Sequence, residues 1–128
     1  MKKLFFIHLT ILCFKASNAQ TFWTEQTMFS GYVGRYEIRM TLAIPVGGAN
    51  QCFTIGEYFY TSNREKLSLC SSDDDRIVET YKGKRTGYFV LNGDWNKRIG
   101  QTISGTWYSM TKNKSYPVVL KVTGKRPD

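Results

Sequence analysis

Histidine is almost absent from this chain of 128 residues, because its single copy is His8. Histidine is the commonest side-chain general base near neutral pH and the commonest metal ligand. Cysteine is scarce as well: there are three copies, and none has the C-x-x-C spacing of a redox centre. No glycine-rich stretch precedes a helical pattern in the way that phosphate-binding loops require. The composition therefore disfavours most enzyme classes, and we predict no cofactor.

The first 19 residues have the three-part pattern of a secretory signal. Lys2-Lys3 forms a positive start, an apolar run extends from Leu4 to Phe14, and small residues lie before Gln20. The run is shorter than the roughly 20 residues of a membrane span. We predict cleavage after Ala19, a secreted or periplasmic location, and a mature form that does not span a membrane. A buried N-terminal helix is the alternative.

Removal of this segment changes what the remaining chain contains. It takes away His8, Cys13 and three lysines but no acidic residue, so the net charge falls from +8 to +5. Residues 20–128 then lack histidine altogether, which excludes Ser-His-Asp and Cys-His catalysis and metal sites that need histidine. We expect these residues to form a single domain.

Two cysteines remain, Cys52 and Cys70, with 17 residues between them. An even pair in an exported protein predicts a disulfide. A loop of this length stabilises the fold by about 3 kcal/mol in the chain-entropy account. Two separate buried thiols are the alternative.

Alternation of apolar and polar residues dominates the rest of the chain and predicts β-strands. The longest alternating segment, Tyr32 to Ile44, is predicted to be one strand that ends at Pro45. Phe22 to Phe29 is predicted to be a short strand or a helical turn, and Gly124 to Asp128 a loose tail. The other predicted strands are Cys52 to Tyr60, Lys66 to Cys70, Arg76 to Tyr81, Thr86 to Asn92, Ile99 to Tyr108 and Tyr116 to Thr123.

Seven or eight short strands joined by tight turns predict an all-β, antiparallel meander. Closing the meander into a small barrel, with a lipocalin-like or avidin-like architecture, would remove its exposed edges. A Gly-x-aromatic sequence recurs at Gly34, Gly56, Gly87 and Gly105. A glycine in a strand allows a sharp bend or lets an aromatic ring pack on bare backbone. The alternative to this structural role is a functional one, in which the aromatic residues line a ligand cavity.

Several of these segments resemble those of small exported bacterial proteins of uncharacterised function. The matching stretches are Gly56 to Tyr60, Thr86 to Phe89, Ile103 to Trp107 and Pro117 to Leu120. The resemblance implies a β-barrel in a cell-envelope or secreted setting and carries no catalytic residues. The sequence around the predicted cleavage point, Asn18-Ala19-Gln20, is similar to that of Bacteroidetes leaders.

Carboxylates are the remaining catalytic option, since a hydrolase needs two of them facing each other across a cleft. The candidates are Glu37, Glu57, Glu79 and Asp94. The run Asp73 to Asp75 lacks the alternating ligand spacing of an EF-hand loop, so a solvated acidic loop is favoured over a calcium site.

The predicted function is a secreted or periplasmic, non-catalytic binding module that recognises a protein, a glycan or a small apolar ligand. An inhibitor or immunity-type protein that blocks an envelope enzyme is the alternative, and a carboxylate-based hydrolase is less favoured. The scattered positive charge suits an anionic envelope surface, and export disfavours nucleic acid. The predicted ligand surface consists of Tyr36, Glu57, Tyr58, Tyr60, Tyr88, Trp95 and Trp107.

Overall fold

The computed structural model describes residues 25–44, 54–71 and 76–127, which form eight β-strands and no helix. The strands are β1 (Glu25–Val33), β2 (Tyr36–Ile44), β3 (Thr54–Tyr60), β4 (Leu67–Ser71), β5 (Ile77–Tyr81), β6 (Lys84–Leu91), β7 (Thr102–Ser109) and β8 (Ser115–Pro127). Each strand pairs antiparallel with the next, and β8 pairs with β1. The predicted all-β meander that closes into a small barrel is confirmed.

The prediction of one long strand from Tyr32 to Ile44 is wrong, because a hairpin interrupts it. Val33 pairs with Tyr36 across a two-residue turn at Gly34 and Arg35. Gly34 has φ 62°, and its N–H donates to the Pro117 carbonyl at 2.7 Å. Positive φ at the first turn residue is what a tight hairpin demands and what glycine supplies. The buried face switches from odd-numbered to even-numbered residues across the turn, from Val33 to Ile38, but the exposed Tyr32 imitates the later phase in the sequence.

Both ends of the described chain are more ordered than predicted. The segment Phe22 to Phe29, expected to be a short strand or a helical turn, overlaps the nine-residue strand β1, which continues to Val33. The tail predicted to be loose from Gly124 continues β8 as far as Pro127, which pairs with Glu25. The two segments stabilise each other through the pairing that closes the barrel, and this long-range contact is invisible to local patterns.

Alternate side chains point into the barrel and form one packed cluster. Phe29, Tyr58 and Phe89 are its largest members, each at most 1% exposed. The rings of Tyr58 on β3 and Phe89 on β6 meet edge to face with 5.2 Å between their centroids. Because these strands are not neighbours, the contact crosses the lumen, so side chains fill the barrel at this level.

The meander places four hairpin turns at one end of the barrel, which we call the barrel mouth. These turns join β1 to β2, β3 to β4, β5 to β6 and β7 to β8. The opposite end carries the β6–β7 connection and the paired residues Glu25 and Pro127. Among the described residues, no helix has the length and apolar character needed to cross a membrane.

Candidate binding site at the barrel mouth

A buried carboxylate lies inside the barrel near the mouth. Glu79 on β5 is 4% exposed and accepts hydrogen bonds from three neutral donors. The Tyr58 hydroxyl donates to Oε1, and the Thr86 hydroxyl donates to Oε2. Trp107 Nε1–H also donates to Oε1, at 3.0 Å. We call these four residues the Glu79 cluster, and they link β3, β5, β6 and β7.

Two irregularities of β6 bring the donors to Glu79. Glu79 pairs with Gly87 and Thr80 with Arg85, so Thr86 is an extra residue in a β-bulge. A bulge redirects a side chain that regular pleating would send outward. At Gly87 a Cβ would lie 2.6 Å from Cζ2 of the Trp107 ring. The glycine therefore lets the indole pack on bare backbone, as the Gly-x-aromatic sequence predicts.

The two tyrosines at the end of β3 have perturbed hydroxyls. Burial, together with the negative charge of Glu79, raises the pKa of Tyr58 far above its ordinary value. Burial also raises the pKa of Tyr60, although a hydrogen bond with Tyr58 opposes this shift. Both hydroxyls thus remain protonated and can donate hydrogen bonds over the whole physiological pH range.

Aromatic rings from four strands surround the mouth above this cluster. Tyr36 on β2 meets Tyr60 on β3 edge to face, with 6.2 Å between centroids. Trp107 on β7 stacks on Tyr116 on β8 at 5.9 Å. Tyr36 is 50% exposed, whereas the other three are partly buried against the core. The rings form a surface that is apolar on its faces and carries hydroxyl groups at its edges.

A cavity of about 270 Å³ opens beside these rings, and we call it the mouth pocket. Its lining residues are Tyr60, Asn63, Glu65, Leu67 and Tyr81. The Tyr81 hydroxyl donates to Glu65 Oε1, and Asn63 Oδ1 accepts the Glu65 backbone N–H at 2.9 Å. The β3–β4 and β5–β6 hairpins therefore form one continuous polar rim.

The structure brings four of the seven predicted surface residues together at this mouth: Tyr36, Tyr58, Tyr60 and Trp107. Tyr58 is 1% exposed, so it supports the surface from below and does not form part of it.

The other three predicted residues lie elsewhere. Glu57 points to the outside of β3 and forms an ion pair with Lys66 at 3.2 Å. Tyr88 lies on the outer face of β6, stacked on Tyr108 at 5.0 Å between centroids. Trp95 packs against the core from the β6–β7 connection, at the end opposite the mouth. These three residues do not share a surface with the mouth.

Several site residues were not singled out from the sequence: Asn63, Glu65, Tyr81, Thr86 and Tyr116. Glu79 was noted only as a carboxylate. Its position gave a usable signal, because period two places it on the same face as Ile77 and Tyr81. A glutamate in phase with apolar strand residues indicates a buried, hydrogen-bonded carboxylate. The bulge that redirects Thr86 left no comparable trace.

The remaining candidates for chemistry do not join the site. Glu37 forms an exposed ion pair with Arg39 at 2.9 Å, and hydrogen bonding to Arg39 lowers the pKa of Glu37. Asp94 is exposed in the β6–β7 connection. Within the described ranges, no group of three acidic, cysteine or histidine side chains could hold a metal ion. The run Asp73 to Asp75 lies outside those ranges.

No protein-family profile, no curated protein sequence and no solved structure matches this chain.

Replacing Glu79 by glutamine tests the Glu79 cluster. The amide would turn an N–H₂ group toward donors that now meet carboxylate oxygens, leaving buried donors unsatisfied. We expect Glu79→Gln to lower the free energy of unfolding in urea by about 1–3 kcal/mol. Glu57→Gln is the matched control, because it removes only a partly exposed ion pair, worth less than about 1 kcal/mol. Equal losses in the two variants would contradict a structural role for the cluster.

The buried Tyr58 hydroxyl makes stability depend on alkaline pH. In the unfolded chain this group loses its proton near pH 10, whereas the raised pKa keeps it protonated in the barrel. Each pH unit above 10 therefore lowers the free energy of unfolding by about 1.4 kcal/mol. Tyr58→Phe removes this contribution.

We expect the stability difference between the wild type and Tyr58→Phe to be constant from pH 7 to 9 and to narrow above pH 10. Urea unfolding at each pH measures it. Parallel stability curves through pH 11 would show that Tyr58 titrates alike in both states.

Proposed function

We propose that this protein is a non-catalytic binding module that recognises its ligand through the barrel mouth. The observation that carries the proposal is the convergence of Tyr36, Tyr60, Trp107 and Tyr116, from four strands, beside the mouth pocket. Aromatic surfaces with a few convergent polar groups are typical of ligand sites. A closed barrel holds the rings at fixed separations, so binding needs little reorganisation.

The packing inside the barrel favours the mouth over the lumen as the place of binding. The contact between Tyr58 and Phe89 occupies the lumen just below the Glu79 cluster. The mouth itself combines ring faces with hydroxyl, carboxylate and amide groups. This composition suits a small polar ligand with an apolar face better than a purely apolar one.

The Glu79 carboxylate is better suited to holding the site together than to catalysis. Its two oxygens already accept bonds from Tyr58, Thr86 and Trp107. A glycosidase-type hydrolase needs one carboxyl group free to protonate a leaving group and a second to attack or to activate water. A carboxylate held by three internal donors meets neither need.

The alternative of an inhibitor or immunity-type protein has its own supporting observation on the outer face. Tyr32 on β1 and Val119 on β8 are cross-strand partners, and each is 50% exposed. Exposed apolar neighbours on the outer face of the barrel suit contact with another protein. The cationic groups of Arg35, Lys82 and Lys84 near the mouth favour an anionic envelope surface.

These two surfaces provide a matched test, since Tyr36 at the mouth and Tyr32 on the outer face are equally exposed. The probes are methyl β-glucoside, choline and hexanoate, each titrated into ¹⁵N-labelled protein. We expect at least one probe to shift the amide resonances of Asn63, Leu67 and Tyr81. Tyr36→Ala should weaken the binding of that probe about tenfold, a loss of about 1.4 kcal/mol in binding free energy. Tyr32→Ala should leave the affinity unchanged.

Shifts confined to residues around Tyr32 and Val119, or no response to any probe, would contradict binding at the mouth.

Export and the disulfide are part of the same proposal. Cys70 on β4 is buried, and its Cα partner on β3 is Thr54, two residues after Cys52. Cys52 itself and the leader lie outside the described residues. We expect intact mass analysis of the exported protein to give an N-terminus at Gln20 and no free thiol after unfolding without reductant. A different N-terminus would refute the leader prediction, and two alkylated thiols would refute the disulfide.

A further inference from the structure

The mouth pocket is about as large as a small headgroup, and aromatic side chains form its walls. Its volume of about 270 Å³ lies just below the roughly 300–1,000 Å³ of pockets for drug-sized ligands. Tyr60, Tyr81 and Leu67 supply apolar surface, while Glu65 is the only charged residue among those that line the pocket. A compact ligand would therefore contact two aromatic rings and one carboxylate together.

The charge of Glu65 is not neutralised by the cations that flank it in the sequence. The Arg64 guanidinium lies 5.4 Å from the centroid of the Phe59 ring, and Lys66 is paired with Glu57. No ion pair to Glu65 occurs among the described residues, and its side-chain partner is the neutral Tyr81 hydroxyl. The negative charge of Glu79 also reaches Tyr60 from below. Glu65 thus places one carboxylate at the pocket, and the ammonium of Lys82, the next residue in the sequence after Tyr81, approaches the same tyrosine.

One wall of the pocket already takes part in a cation–π contact. The Lys82 ammonium nitrogen lies 5.3 Å from the centroid of the Tyr81 ring. A cation within about 6 Å of a ring centroid is attracted by the negative ring face. Aromatic rings beside a carboxylate are the arrangement by which proteins recognise quaternary and methylated ammonium groups.

We infer that the mouth pocket binds a compact alkylammonium group, seated against the rings of Tyr60 and Tyr81 with its charge beside Glu65. This inference rests on the proposed function, because it specifies the ligand class of the same mouth. A quaternary ammonium has no N–H group and needs no hydrogen-bond acceptor, so aromatic faces and one carboxylate are sufficient. The group is carried either by a free alkylammonium compound or by a choline lipid headgroup.

The test compares choline with 3,3-dimethylbutan-1-ol, which has nearly the same shape and no charge. Both are titrated into the full exported protein and followed through the amide resonances of Asn63, Leu67 and Tyr81. We expect choline to bind at least about tenfold more tightly than the alcohol. Glu65→Gln should reduce that advantage to the part that the rings alone provide, whereas Glu57→Gln, which changes a carboxylate outside the pocket, should keep it in full.

The outcomes separate this inference from the broader proposal. Equal binding of choline and the alcohol would refute the preference for a cation and leave the mouth as a binding site. Shifts with methyl β-glucoside and none with choline would do the same. No shift at the pocket with any of these probes would refute both. Co-sedimentation with phosphatidylcholine vesicles that is lost in Glu65→Gln would identify a lipid headgroup as the source. Choline binding without co-sedimentation would identify a free alkylammonium compound.

Discussion

The pairing of β1 with β8 is the constraint on which the rest of the structure depends. All nine residues of β1 pair with β2 on one side and with β8 on the other, with a register shift between Met28 and Phe29. Without this second partner, both strands would present unpaired N–H and C=O groups along their edges. Closure gives every strand two neighbours and fixes the circumference of the barrel, so the mouth rings contributed by separate strands keep their relative positions.

The Glu79 cluster complements closure from the inside. A buried carboxylate is costly unless each oxygen finds donors, and here the donors come from β3, β6 and β7. Satisfying one acidic residue thus links four strands through the lumen. Because Tyr58 and Trp107 are held at their polar ends, the rings of Tyr60 and Tyr116 that rest on them are positioned as well. The polar network below the mouth and the aromatic surface above it therefore form one connected set of contacts.

Most of the fold could be predicted from the sequence, because the two-residue alternation of strands and the residues typical of turns both reflect local structure directly. Lys82 and Gly83 illustrate this, because both adopt the positive φ of a type I′ hairpin turn. The hairpin at Gly34 was missed because the exposed rings of Tyr32 and Tyr36 have the same even-numbered spacing as the buried residues that follow, which hides the change of phase at the turn. The site was only partly visible, because Tyr36 and Trp107 are brought together by barrel curvature and Thr86 by a bulge. Neither feature leaves a pattern in the local sequence. Only Glu79 could be placed inside the barrel, because it is in phase with the apolar residues of its strand.

The pairing of Glu25 with Pro127 has a practical consequence for how the domain can be held. These residues are Cα partners at the end of the barrel opposite the mouth. A tag, a surface linker or a fused domain attached beyond either residue therefore starts from the far end and leaves the mouth facing solvent. A short peptide that joins the two positions would give a ring-shaped chain, in which new termini could be opened elsewhere while the eight-strand order around the barrel is retained.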